Sequence, residues 1–184
     1  MGFVVVYDAC VLYPAAVRDL LIRLAASGLF QARWTDRILD ECFRSIVESR
    51  PDLAGKLDRT RALMEAAIPA AKVSGYEPLV PTLTLPDEDD RHVLAAAIRC
   101  SAQVIVTTNL RDFPAEALVP WEVEAQLPDT FVLHLLSLDS GAVVRAVMAQ
   151  AAGLKAPPMT VRELLSTLEA RGLVQAVGEL RRLI

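Results

Sequence analysis

Two apolar, β-branched runs that each lead into a polar turn constrain this chain more than any other feature. Phe3-Val4-Val5-Val6-Tyr7 stops on Asp8, and Val104-Ile105-Val106 enters the turn Thr107-Thr108-Asn109-Leu110-Arg111-Asp112-Phe113. A strand with no polar alternation must be covered on both faces, which is the pattern of parallel strands with helices on either side. The segments between the runs supply such helices. The expected class is therefore α/β, a parallel sheet flanked by helices.

Pro14 precedes Ala15–Ala26, whose apolar residues recur at helical spacing and which Ser27-Gly28 ends. Gln31–Trp34 reads as a short extended segment. Thr35 or Asp36 caps the next helix, which carries the pattern Arg37–Val47. Pro51-Asp52 opens a further helix to about Ala67 with the basic residues Lys56, Arg59 and Arg61. Ala71–Ser74 is a weak strand candidate, and the proline-containing Tyr76–Pro86 is a stiff connection. Asp87-Glu88-Asp89-Asp90 precedes the helix His92–Cys100, where acidic residues suit the dipole. Gln103–Thr107 and Trp121–Ala125 complete the strands. From Pro128 the texture becomes helical: Asp129–Ser137, Ser140–Ala152, Thr160–Ala170 and Leu173–Leu183, with Ser140 and Thr160 as N-caps. The expected division is 1–127 for the α/β domain and 128–184 for a C-terminal helical extension.

The chain has 184 residues, 53% of them hydrophobic, enough for a substantial core. No apolar stretch reads as a membrane span and no basic leader opens the chain, so a cytoplasmic protein without a membrane is expected. The three cysteines, Cys10, Cys42 and Cys100, have no zinc-type spacing and read as reduced packing residues. The net charge of −4 argues against a non-specific nucleic-acid coat protein. It leaves room for a nuclease whose acids await a cation.

Asp8, Glu41, Asp90 and Asp112 come from four separate segments, at strand ends and near helix starts. Open α/β sheets place their ligands there. Singly, each acid has an ordinary role as a turn former, cap or solvated helix residue. Together they form a set of oxygen donors for a hard divalent cation, Mg²⁺ or Mn²⁺, which can activate water against a phosphodiester. Asp8 and Asp90 read as the main metal ligands. Glu41 and Asp112 complete the cluster, and Asn109, Thr107 and Thr108 stand ready to orient water or a carboxylate. Other chemistries find little support. His92 and His134 lack paired ligand spacing and read as helix-surface residues. No G-x-S-x-G elbow surrounds Ser101 or Ser137, and phosphate-binding glycine loops are missing. An aspartyl phosphatase would want a second acid where Cys10 stands. Lys56, Arg59, Arg61, Arg18, Arg37, Arg44 and Arg91 either face solvent or meet phosphates.

The segments Val4–Leu12, Ile38–Glu41, Leu85–Ala97 and Val104–Phe113, in this order and spacing, resemble the PIN-domain ribonucleases over roughly residues 3–125. Within that family the chain is similar to the toxin half of bacterial VapBC-type toxin–antitoxin pairs, and its tail resembles an extension on one subgroup. The resemblance implies a parallel sheet flanked by helices and Mg²⁺- or Mn²⁺-dependent endoribonuclease activity on RNA. It carries the acids onto Asp8, Glu41 and Asp90. Many members have Asp where this chain has Asn109, so Asp112 supplies that charge or Asn109 serves as a neutral ligand. A cognate antitoxin and a toxin homodimer are also implied. The competing expectation is a catalytically silent PIN-fold protein that acts by binding a partner or RNA.

Overall fold

The computed structural model describes residues 2–184. Four strands form one parallel sheet: β1 (Val4–Tyr7), β2 (Gln31–Arg33), β3 (Val104–Val106) and β4 (Glu124–Gln126), in the order β2-β1-β3-β4. Val6 lies opposite Arg33 on one side and Ile105 on the other, so β1 and β3 form the centre. Their burial follows from that placement. Val5, Val6, Tyr7, Ile105 and Val106 have no exposed surface, as continuous apolar runs require. Tyr7 donates its buried hydroxyl to the Leu21 carbonyl at 3.0 Å, so its polar end is satisfied.

The helices follow their local signals, with informative departures. A short helix α1 (Ala9–Leu12) turns directly off Asp8, and α2 (Ala15–Ala26) runs as expected. Gly28 adopts φ +83° just past its end, the left-handed conformation a helix terminator needs. In α3 (Asp36–Ser49) the cap is Thr35, whose hydroxyl accepts from Ile38 N–H at 3.1 Å. The helix expected from Pro51 is instead a single 3-10 turn, followed by α4 (Leu57–Ala67). Gly55, at φ +77°, separates the two. The Ala71–Ser74 segment forms only one isolated bridge, between Lys72 and Trp34. Helix α5 (Arg91–Arg99) buries six consecutive residues, His92 to Ala97, behind the sheet. A short α6 (Ala115–Leu118) leads to β4, which starts later than expected because Val119–Trp121 forms a turn.

The tail forms α7 (Pro128–Gly153), α8 (Val161–Ala170) and α9 (Val174–Leu183). Contrary to the sequence expectation, α7 is long and apolar enough, by length and composition, to cross a membrane. Here it breaks at Asp139 (φ −154°, ψ 88°) and packs Phe131, Val132, Val143 and Val147 into the core. The cap of its second half is Asp139, not Ser140. The Asp139 carboxylate accepts from Ala142 N–H at 2.8 Å. Phe131 meets Phe30 edge-on at 5.1 Å, and Gln150 donates to the Ala16 carbonyl on α2 at 2.9 Å. The tail thus packs on the α2 side of the sheet. Asp129, buried near the start of α7, accepts from Gln175 and Ala176 N–H at 3.0 and 2.8 Å, capping α9 from 47 residues away.

Candidate active site

The connections leaving β1 and β3 run to opposite edges of the sheet, because the order reverses between them. A crevice opens beyond their carboxyl ends, where such sheets bind ligands. A cavity of about 380 Å³ occupies it, lined by Asp8, Tyr13, Glu41, Cys42, Asp90 and Asn109, among others. The sheet supplies Asp8 and Asn109, α3 supplies Glu41, and the start of α5 supplies Asp90.

Asp8 is held firmly. One carboxylate oxygen accepts from Ala9 N–H at 2.7 Å, making Asp8 the cap of α1. The other accepts from the Thr107 hydroxyl at 2.7 Å and the Cys10 thiol at 3.1 Å. Thr107 has no exposed surface, and its oxygen also accepts from Asn109 N–H at 3.0 Å. A single hydroxyl therefore ties the β1 acid to the turn after β3. Cys10 was expected to be a packing residue. It is instead part of this network, taking Thr108 N–H at 3.3 Å. Its thiol is pushed up to about 11, by burial and then by the Asp8 charge.

Asp90 occupies the cap position of α5, yet its side chain caps nothing. Asp87 does the local work by accepting from Asp89 N–H at 2.9 Å. The Asp90 carboxylate is therefore uncommitted. Burial, followed by the charges of Asp8, Asp87, Asp112 and Glu41, raises it to about 7. Four carboxylates repel it. A divalent cation would offset their charge.

Glu41 has the opposite electrostatics. Burial pushes its carboxyl up, but hydrogen bonds from His92 and Arg37 outweigh burial and hold it below its ordinary value. Arg37 Nε lies 3.0 Å from one oxygen, and His92 Nε2 lies 3.0 Å from the other. His92 is 1% exposed, so the surface position expected for it is wrong. Its face of α5 turns inward toward α3. His134 is exposed on α7, as expected, with Nδ1 3.2 Å from Gln126 Oε1. Asp112 is half-buried and does not line the cavity, although its charge reaches Asp90.

The basic residues divide clearly. Arg61 pairs with Asp36, Asp40 and Glu65, fastening α4 to α3. Arg18 donates to the Leu12 and Tyr13 carbonyls at the end of α1, and Arg91 to Glu88. Arg44 is exposed and forms no ion pair among the described residues. Lys56 and Arg59 are also exposed. A larger cavity, about 840 Å³ between α2, α4 and α8, is a mainly apolar groove lined by Ile22, Leu63, Met64 and Leu164 among others. It holds no convergent acids, so size does not mark the chemistry here.

A PIN domain model matches residues 4–111. The chain belongs to the PIN-domain family. A second model, the VapC50 C-terminal domain, matches residues 128–182 of the tail. The protein "Putative ribonuclease VapC50" of Mycobacterium tuberculosis is 43% identical over 94 residues, covering 51% of this chain and 55% of that protein. The match therefore spans about half the length of that relative. No solved structure matches the chain.

Among the described residues, no three His, Cys, Asp or Glu side chains of this PIN domain converge into a ready-made metal cage. Magnesium and manganese do not need one, since such ions take one or two carboxylates and keep several waters. The hard oxygens of Asp8 and the uncommitted, charge-crowded Asp90 fit that demand.

Proposed function

We propose that this protein is a metal-dependent endoribonuclease that hydrolyses RNA phosphodiester bonds as the toxin of a type II toxin–antitoxin pair. The observation that carries the proposal is the convergence of Asp8, Glu41, Asp90 and Asn109 from four chain segments on the crevice between β1 and β3. Asp8 and Asp90 would hold Mg²⁺ or Mn²⁺. Such an ion, when bound, draws charge from the phosphate and makes water easier to deprotonate.

The chain's own residues set up that chemistry. Thr107 and Ala9 N–H fix both Asp8 oxygens, so the carboxylate does not have to reorganise on binding. Glu41, kept ionised by His92 and Arg37, orients water at the cavity wall. Asn109 adds a neutral donor and acceptor to the cavity that Asp8 lines, and Asp112 adds negative charge felt by Asp90. Arg44, three residues from Glu41 on α3, is a free cation for an RNA phosphate.

By the family resemblance, a cognate antitoxin would cover the acidic cavity, the toxin would form a homodimer, and it would act in the cytoplasm. Residues 1–127 would carry the chemistry and 128–184 would brace it.

The antitoxin-free protein, incubated with total bacterial RNA and Mg²⁺ or Mn²⁺, should yield discrete fragments. EDTA and Asp8→Asn should each abolish them. Intact RNA under every metal condition, from a protein that circular dichroism finds folded, would falsify the reading. Asn109, standing where many relatives carry an acid, favours one alternative, a silent PIN fold that binds without cutting. An Asp8→Asn protein that keeps its effect on growth would select it.

A further inference from the structure

We infer that His92 is a positioning residue of the active site: its Nε2–H orients Glu41 toward the cation and its water. The inference rests on the nuclease reading above. The ring is 1% exposed and lies two residues after Asp90, on a helix otherwise buried by alanine, valine and leucine. Nε2 sits 3.0 Å from Glu41 Oε2, and Arg37 holds Oε1 at 3.0 Å. Two donors from two helices therefore pin one carboxylate of a residue that lines the cavity.

The other ring nitrogen supports the argument. Nδ1 is buried and has no hydrogen-bond partner among the described residues. A buried polar atom without a partner costs stability, and an apolar side chain of similar size would avoid that cost. The ring commits Nε2–H to Glu41 and leaves Nδ1 without a partner among the described residues. A residue that serves packing alone would not pay with an orphaned nitrogen. One whose value lies in the Glu41 contact would, because local rules are broken where a site needs it. Orienting partners of metal-binding carboxylates act in this way, and losing them typically costs about 10- to 100-fold in metal affinity or activity.

The test compares His92→Leu, which keeps bulk and removes the donor, with His92→Gln, which keeps a donor amide. Mn²⁺ affinity is measured by calorimetry, RNA cleavage by fragment analysis, and the thermal midpoint by circular dichroism. His92→Leu should weaken Mn²⁺ binding about 10-fold or more at an unchanged or higher midpoint. His92→Gln should recover most of that loss. In a Glu41→Ala background, His92→Leu should have no further effect on Mn²⁺ affinity, since its partner is gone. Wild-type affinity in His92→Leu overturns the inference. So does equal loss in both variants with a lowered midpoint, the mark of a packing residue. If His92→Leu does not fold, His92→Gln and the Glu41→Ala pair decide: a His92→Gln protein that binds as weakly as Glu41→Ala overturns it. A wild-type protein that neither binds Mn²⁺ nor cleaves RNA removes the nuclease reading and this inference together. A wild type that does both, with His92→Leu unaffected, removes the inference alone.

Discussion

At the residue scale, Asp90 couples function to stability. Its carboxyl is raised from 3.8 to about 7, by burial first and then by neighbouring acids. Between those two values the folded state holds a proton that the unfolded state has lost. The protein without cation is therefore most stable below about pH 4 with respect to this group, and loses that contribution as pH rises through 7. Asp90→Asn should accordingly stabilise the cation-free protein at pH 8 by about 1–2 kcal/mol, well under the full shift because the group is partly solvated. Urea unfolding at pH 5 and 8 measures this, and an equal effect at both pH values would refute it. Mn²⁺ affinity of the unmodified protein should rise as pH passes through 7. Thr107→Val keeps the shape and deletes the hydroxyl that holds Asp8. A loss of about 10-fold in Mn²⁺ affinity with an unchanged circular dichroism spectrum is expected; unaltered binding would mean that Ala9 N–H and Cys10 suffice.

At the element scale, the tail helices depend on caps, one of them supplied from a distance. Asp129 on α7 takes two N–H groups at the start of α9, groups that an isolated helix would leave unpaired. Asp129→Ala should cost about 2 kcal/mol. Hydrogen exchange should show its largest loss of protection in α9, and uniform loss would argue against a local cap. Asp139 and Ser140 form an internal comparison. Asp139→Ala should cost about 1 kcal/mol because its carboxylate caps the second half of α7. Ser140→Ala should stay within about 0.5 kcal/mol, the range of an ordinary surface change. Chemical denaturation of both variants checks the pair. The sequence named Ser140, since serine is a good cap and both residues are adjacent. The kink at Asp139 decided between them.

At the scale of the whole molecule, the α/β body and the tail share one core. Phe3 and Phe30 each meet Phe131 edge-on across the junction, and Leu164, Leu168 and Val177 belong to the same buried cluster as Val5 and Ile105. Phe131→Ala should cost about 3–5 kcal/mol, as deletion of a buried ring does. A chain cut after Leu127 would expose Phe30 and the inner side of α2. It is expected to lose cooperative thermal unfolding; a sharp, reversible transition from residues 1–127 would show that the body folds alone.

Local chemistry made much of this protein legible from sequence alone. The runs at Val4–Tyr7 and Val104–Val106 could be read as buried parallel strands because nothing polar interrupts them. Thr35 and Thr160 announced their helices because capping is a contact over three residues. The acids were visible because strand ends in a parallel sheet face one edge. Tertiary structure alone decided the contacts that span the chain. Thr107 reaches Asp8 across 99 positions, and His92 reaches Glu41 from another helix. His92 looked like a surface residue because periodicity cannot tell which side of an almost wholly apolar helix will meet an acid. Residue types and local spacing determine which elements form. Which carboxylate is pinned, which is left uncommitted and which is crowded by its neighbours depends on distances that exist only once those elements have packed.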